Sequence, residues 1–399
     1  MKDSFKGIKI SESVYWVGAR DWKIRDFHGY STYRGTTYNA YLILDDKITL
    51  IDTVKAPFKD ELIARISSII EPEKIDYIVS LHSEMDHSGA LPQVIHKVKP
   101  EKVFTSKMGI KTLKEHFNLN CELVAVENGG KLELGKNSLT FYETRLLHWP
   151  ESMIAYMPEE KILFSQDGFG MHLCTTELYA DEISDYKIYE EAKKYYANIL
   201  LPYSKLILKL LDNIKKLGLE IEILAPDHGP VWRKDIDKYI LWYDKWAKQV
   251  PENKAVIYYA TMWGSTELMA RAIGEGLSSE GIEVELMPHS GAHRSEVITS
   301  LLCAGGFCVG APTINNNMFP AVADILSYVK GLKPQNLKGF AFGSYGWSGE
   351  GATQAQSILQ EMKMDLIMDE IKVKFVPKDE DLKNCYNAGK ELGKAIKSS

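Results

Sequence analysis

Past residue 250 the chain becomes a strict repetition of short apolar run, loop and helical spacer, and this pattern limits the possible folds more than any other feature. AVIYYA, VELMP, GFCVGA, GFAFGS and IKVKFV are short and continuously apolar, as strands covered on both faces by crossover helices must be. Five such strands in about 145 residues make a doubly wound parallel α/β sheet. The first 250 residues obey another rule. TYNAYLIL and ITLIDTV follow each other too closely for an intervening helix and predict a hairpin, followed by a helix at about 58 to 70. IDYIVSL, SLTFYETR, MIAYMP, KILFSQD and EIEILAP continue the strand pattern, with a long helical region from about 183 to 217. This predicts a mixed sheet covered by helices. The polar segment AKQVPENKA, with Pro251, separates the two patterns and divides the chain into expected domains 1–250 and 251–399.

The 48 basic residues against 54 acidic ones leave a net charge of −6, so no surplus of positive charge exists to displace counterions from a nucleic acid. No stretch approaches the roughly 18 apolar residues of a membrane span, and the charged N-terminal segment does not read as a secretory signal. The expectation is a cytoplasmic protein with no nucleic-acid or membrane partner. Cys121, Cys174, Cys303, Cys308 and Cys385 are scattered without a C-x-x-C pair and read as buried thiols.

Chemistry concentrates at the predicted strand ends. His82, Glu84, Asp86 and His87 crowd the segment directly after IDYIVSL, and a loop leaving a strand can curl several imidazoles and carboxylates around one metal ion, which a regular strand cannot do. Three more metal-capable residues occupy equivalent places: His148 in RLLHWPES, Asp167 in SQDGFG and His228 in APDHGP. Repeated placement argues for one shared site.

In the second half, AVIYYA runs into Thr261, Met262, Trp263, Gly264, Ser265 and Thr266 and then into a helical pattern. Hydroxyls and backbone amides gathered at a helix N-terminus form a phosphate cradle. Its length and its lack of the P-loop lysine favour the single phosphate of FMN over a dinucleotide or a nucleoside triphosphate. Two later loops offer backbone donors and aromatic cover for a flavin ring: Pro312, Thr313, Ile314, Asn315 and Asn316, and then Ser344, Tyr345, Gly346, Trp347, Ser348 and Gly349.

The pattern H-x-[HE]-x-D-H, followed by His, Asp and His after successive strands, resembles the metallo-β-lactamase fold and its binuclear site. Glu84 stands where the hydrolases of that fold usually carry a second His, and a hard carboxylate donor suits iron better than a zinc ion tuned to polarise water. With a flavodoxin-like second half, the whole chain resembles the flavodiiron proteins. FYETRLLHWPESM, GTTYNAYLI and GLKPQN are particularly similar to the rubredoxin:oxygen oxidoreductase branch.

That resemblance implies an αββα sandwich followed by a flavodoxin-like FMN domain, with Trp347 stacked on the ring and Asn315 and Gly346 at its polar edge. It implies two non-haem irons. His82, Glu84 and His148 would bind the iron nearer the flavin and Asp86 and His228 the other, with Asp167 bridging; His87 ligates in parts of the family and gives way to water elsewhere. Tyr195 and His172 match positions lining the pocket, where they could donate hydrogen bonds or protons. The implied reaction is reduction of dioxygen to water, using two electrons from reduced FMN and two from the irons, or else the coupling of two nitric oxides. The implied electron donor is a separate rubredoxin-like protein, with reduced deazaflavin as an alternative, and the implied assembly is a head-to-tail homodimer or a dimer of dimers. The rival from another class is a binuclear zinc hydrolase fused to a flavodoxin.

Overall fold

The computed structural model describes residues 4–398. The chain forms two compact units. The first comprises residues up to Phe27, Thr32–Tyr195 and Lys205–Asp244; the second comprises His28–Ser31, Tyr196–Ser204 and the chain from Lys245 onward.

In the first unit, the strand pattern alone suggested one mixed sheet, and the structure has the two stacked sheets of the αββα sandwich that the resemblance implies. One has seven strands in the spatial order Ile8–Lys9, Val14–Trp16, Tyr41–Ile43, Thr49–Ile51, Tyr77–Val79, Lys102–Ser106, Leu123–Val126. The expected hairpin is present, with Tyr41 opposite Ile51 in antiparallel register, and pairing turns parallel from Thr49–Ile51 onward. The other sheet runs Lys131–Glu133, Ser138–Glu143, Met153–Met157, Ile162–Gln166, Ile223–Pro226. Its first four strands are antiparallel, whereas Ile223–Pro226 lies parallel to Ile162–Gln166.

Side-chain alternation explains why the sheets stack. Tyr41, Ile43, Ile51, Val79 and Phe104 of the first sheet share a core with Phe141, Met153, Ala155 and Phe164 of the second. Their sequence neighbours Leu42, Leu50, Ile78 and Val103 point to the opposite face and pack with Leu62, Ile66, Leu91 and Val94 of the covering helices. A strand places successive side chains on opposite faces, so a first-sheet strand apolar on both faces serves two cores.

The helix expected at about 58 to 70 is Lys59–Ser67. The long helical region is interrupted: helix Asp185–Tyr195 passes into a π-turn at Tyr196–Leu200 and a 3-10 turn at Leu201–Tyr203, then resumes as Ser204–Lys216. Pro202, which cannot donate a backbone hydrogen bond, sits in that break.

The second unit is built on a fully parallel sheet in the order Glu283–Pro288, Glu252–Tyr259, Ala304–Gly310, Lys338–Tyr345, with Asp365–Leu366 and Ile371–Lys374 both paired to the last. This is the flavodoxin order 2-1-3-4-5. Helices Ser265–Ser279 and Asp379–Lys397 meet on one face at glycines. A Cβ on Gly276 would lie 2.0 Å from the Tyr386 carbonyl oxygen, and one on Gly389 would lie 2.1 Å from that of Ile273. All five cysteines are free, and four are buried. Among the described residues no helix is long and apolar enough to cross a membrane.

Gly389→Val forces two backbones apart and is expected to destabilise the second unit by about 2 kcal/mol or more. Gly331→Ala, in a helix with open space around the added methyl, is expected to stabilise it by about 0.5 kcal/mol. Urea unfolding followed by circular dichroism measures both, and the two shifts should have opposite signs.

Candidate metal centre and flavin loops

Four chain segments deliver the metal-capable side chains, each from the end of a strand. Strand Tyr77–Val79 leads through Ser80 and Leu81 to His82. Glu84 then precedes the short helix Met85–Ser88, so Asp86 and His87 project from one helical turn rather than from the irregular loop that the sequence suggested. His148 lies in the connection between Ser138–Glu143 and Met153–Met157, Asp167 directly follows Ile162–Gln166, and His228 follows Ile223–Pro226 by one residue.

All seven converge. His82, Glu84, His148 and Asp167 form one group, and Asp86, His87 and His228 another, the ligand atoms of each group lying within 4.8 Å of one another. In the first, His148 Nε2 is 3.0 Å from Glu84 Oε2 and 2.9 Å from Asp167 Oδ2, while His82 Nε2 is 3.2 Å from that same Asp167 oxygen. In the second, His228 Nε2 is 3.1 Å from Asp86 Oδ2, and Asp167 Oδ1 lies 3.3 Å from His87 Nε2 and 3.4 Å from His228 Nε2. Asp167 therefore turns one oxygen to each group.

The donors suit cations. Asp86 and Asp167 are almost wholly buried, and Asp86 Oδ1 and Asp167 Oδ1 accept no hydrogen bond. His87 Nε2 and His228 Nε2 face each other at 3.1 Å, an arrangement in which two lone pairs or two protons would repel and a metal ion would satisfy both. Burial pushes Asp167 toward the neutral acid, but the charges of His87 and His82 outweigh it and hold this carboxyl well below its usual range. For His148, burial acts to lower the pKa, and the hydrogen bonds to Asp167 and Glu84 overcome it to reach about 9.

A surrounding layer fixes the rings. Glu151 Oε1 lies 3.0 Å from His82 Nδ1, and His228 Nδ1 donates to the Thr37 carbonyl at 2.6 Å. Asp52 accepts from the Leu81 amide at 2.8 Å, and burial raises its carboxyl to about 7 despite the nearby imidazoles. Asp227 Oδ2 stands 3.6 Å from His87 Nδ1. The sequence reading missed Glu151, Asp52 and Asp227. Their signal was present, because each is an acidic residue in an otherwise apolar or ligand-bearing strand end: LIDT, HWPE and APDH.

His172 and Tyr195 are both buried beside the second group. The His172 ring centroid is 4.7 Å from that of His228 and 5.1 Å from that of Tyr195, and its Nδ1 is 2.9 Å from Thr36 Oγ1. Burial, reinforced by His228, keeps His172 neutral, while burial and the Asp167 charge hold the Tyr195 phenol well above its ordinary pKa.

In the second unit the three expected flavin loops lie at the carboxyl ends of the adjacent strands Glu252–Tyr259, Ala304–Gly310 and Lys338–Tyr345, with Ser344 and Tyr345 of the third being the last residues of its strand. Thr261 Oγ1 accepts from the Gly264 amide at 3.1 Å, and Gly264, at φ +85°, starts helix Ser265–Ser279 with Thr266 in its first turn. A left-handed turn there suits glycine. Thr266 Oγ1 lies 3.0 Å from Ser344 Oγ, tying the first loop to the third. The second loop is a hairpin. Thr313–Ile314 pairs with Asn317–Met318 around Asn315 and Asn316, both at positive φ. Asn316 Oδ1 accepts from Trp347 Nε1 at 3.1 Å and from Ser348 Oγ at 3.2 Å. Pro312, Tyr345, Gly346 and Gly349 line the same strand ends, and Met262, Trp263 and Trp347 are exposed there, Trp263 at 95% and Trp347 at 83%.

The class defined so far is a metallo-β-lactamase-type domain with a clustered metal-ligand set, joined to a flavodoxin domain. Residues 36–229 match the family model described as ODP family beta lactamase, and residues 257–389 match the flavodoxin model. The nitric oxide reductase of Moorella thermoacetica is 45% identical over 393 residues, 98% of each chain. The rubredoxin oxygen:oxidoreductase structure from Desulfovibrio gigas superposes with a TM-score of 0.97 at 43% identity, covering 98% of this chain and 99% of that one. The flavodiiron protein of Giardia intestinalis superposes with a TM-score of 0.95 at 36% identity, covering 98% and 97%. The chain belongs to the flavodiiron proteins, a family of oxidoreductases.

The raised His148, His82 and His87 make a pH prediction for metal-free protein. A group whose pKa is higher folded than unfolded stabilises below its unfolded value and stops doing so above its folded one. Chelator-treated protein should lose stability in urea as pH rises from about 7 to about 10. Excess ferrous ion at neutral pH should raise the urea midpoint by mass action.

Proposed function

We propose that the protein reduces dioxygen to water, taking electrons from a rubredoxin-like donor through FMN in the second unit to a pair of irons in the first. His82, Glu84 and His148 would hold one ion, Asp86, His87 and His228 the other, and Asp167 would bridge them. The observation that carries this reading is Asp167, whose two oxygens face two separate groups of nitrogen and oxygen donors. When bound, the irons supply two electrons and reduced FMN two more, the four that dioxygen requires.

The chain's own residues support that chemistry by charge and proton placement. Three buried carboxylates, Glu84, Asp86 and Asp167, supply an anionic oxygen-rich set suited to iron. Tyr195 keeps the proton on its phenol oxygen across the physiological range, and neutral His172 packs against both it and His228. The Ser/Thr-rich turn Thr261 to Thr266 would take the FMN phosphate at the helix N-terminus, with Trp347 covering the ring and Asn315 and Gly346 at its polar edge.

Nitric oxide is the second reading of the substrate, because a relative 45% identical over nearly the whole chain is named for its reduction. Anaerobic stopped-flow of the fully reduced protein against each gas discriminates between them. Reoxidation by dioxygen with repeated turnover is the expected result, and turnover with nitric oxide alone would reverse the assignment.

Glu84→Ala and His148→Ala are expected to keep bound FMN while gas reduction falls below about 1% of the parent rate. Full dioxygen uptake with reduced rubredoxin in either variant would refute the ligand assignment. Head-to-tail pairing, in which the flavin of one copy serves the metal pair of another, makes a further prediction. Glu84→Ala mixed with Ser265→Asp, whose added charge repels the phosphate, should regain activity once subunits exchange.

A further inference from the structure

Three imidazoles of the metal centre have a described environment at the ring nitrogen facing away from it, and the environments differ in kind. His228 Nδ1 donates to the uncharged carbonyl of Thr37 at 2.6 Å. His87 Nδ1 has no hydrogen-bond partner and stands 3.6 Å from Asp227 Oδ2. His82 Nδ1 meets a carboxylate oxygen, Glu151 Oε1, at 3.0 Å.

Glu151 is held firmly. It is 1% exposed, the same Oε1 accepts from the Ser83 amide at 3.0 Å, and its backbone carbonyl accepts from Ser106 Oγ at 2.7 Å. Ser106 in turn caps helix Lys107–His116 through the Gly109 amide at 2.9 Å. Glu151 also lies in the segment that carries His148. One short connection therefore supplies a ligand candidate directly and orients a second, His82, that arrives from the other sheet.

We infer that Glu151 is a positioning residue that acts through His82 and makes the two metal positions unequal. This inference rests on the reading that the centre binds a pair of irons. A carboxylate is an acceptor, so it keeps the His82 proton on Nδ1 and leaves the Nε2 lone pair free to face Glu84 and Asp167. Its negative charge also makes that imidazole a stronger donor, an aid that the carbonyl behind His228 supplies less strongly. The ion held by His82, Glu84 and His148 is the one that gains. It should bind more tightly, and its oxidised form should be favoured.

Two variants of the FMN-loaded protein test this. Glu151→Ala removes both hydrogen bonds. Iron affinity at one of the two positions is expected to fall about 10- to 100-fold, so a competing chelator strips one iron per chain early while FMN content stays at the parent level. Glu151→Gln keeps an oxygen for both donors but loses the charge. Both irons should remain, and one of the two iron reduction steps, followed by Mössbauer spectroscopy during a redox titration, should move to higher potential while the other stays. Parental chelator resistance in the Ala variant, equal weakening of both irons in it, or unmoved potentials in the Gln variant would each overturn the inference. If the unaltered protein takes up no iron, the functional reading fails and this inference with it; if only the variants behave as the parent does, this inference fails alone.

Discussion

The first unit is organised around the charge of one buried carboxylate. Asp167 sits where two groups of imidazoles meet, almost wholly out of water, and only the positive character gathered around it keeps it ionised there. A lone carboxylate so buried would take up a proton. The requirement reaches outward: His148 and His82 approach one of its oxygens, His87 and His228 the other, and Glu151 and the Thr37 carbonyl stand behind two of those rings. The two-sheet stack meets this requirement. Strand Tyr77–Val79 lies in one sheet and Ile162–Gln166 and Ile223–Pro226 in the other, and their carboxyl ends bring the groups together.

Much of this was legible in the sequence because the chemistry is punctuated by strand ends. Continuous apolar runs marked the five main strands of the second unit, and the seven metal-capable residues each followed such a run. The division of the first unit into two sheets was less legible. TYNAYLIL looks the same whether its second face meets helices or another sheet, and the partner is settled by long-range packing. The break at Pro202 is hidden within otherwise strongly helical patterning, and the hairpin at Asn315 and Asn316 has no clear sequence mark because two asparagines replace the glycine that usually signals such a turn.

The supporting residues were hardest to foresee. Asp52, Glu151 and Asp227 act through neighbours distant in the chain, and nothing in their local sequence says which imidazole each will approach. Glu151 reaches back from the segment carrying His148 to a ring on the opposite sheet. A ligand can be recognised from its own type and spacing. For a residue that orients a ligand, the sequence marks an out-of-place acid, and only the fold shows which ring it serves.

The glycine crossing between helices Ser265–Ser279 and Asp379–Lys397 bears on how the second unit comes into being. Ile273 and Leu277, in the first of these helices, share a core with Cys385, Leu392 and Ile396 far downstream. During synthesis the first of these helices must wait, its apolar side uncovered, until the last has left the ribosome. The loops at the strand ends therefore gain their foundation only after more than a hundred further residues have been added to the chain.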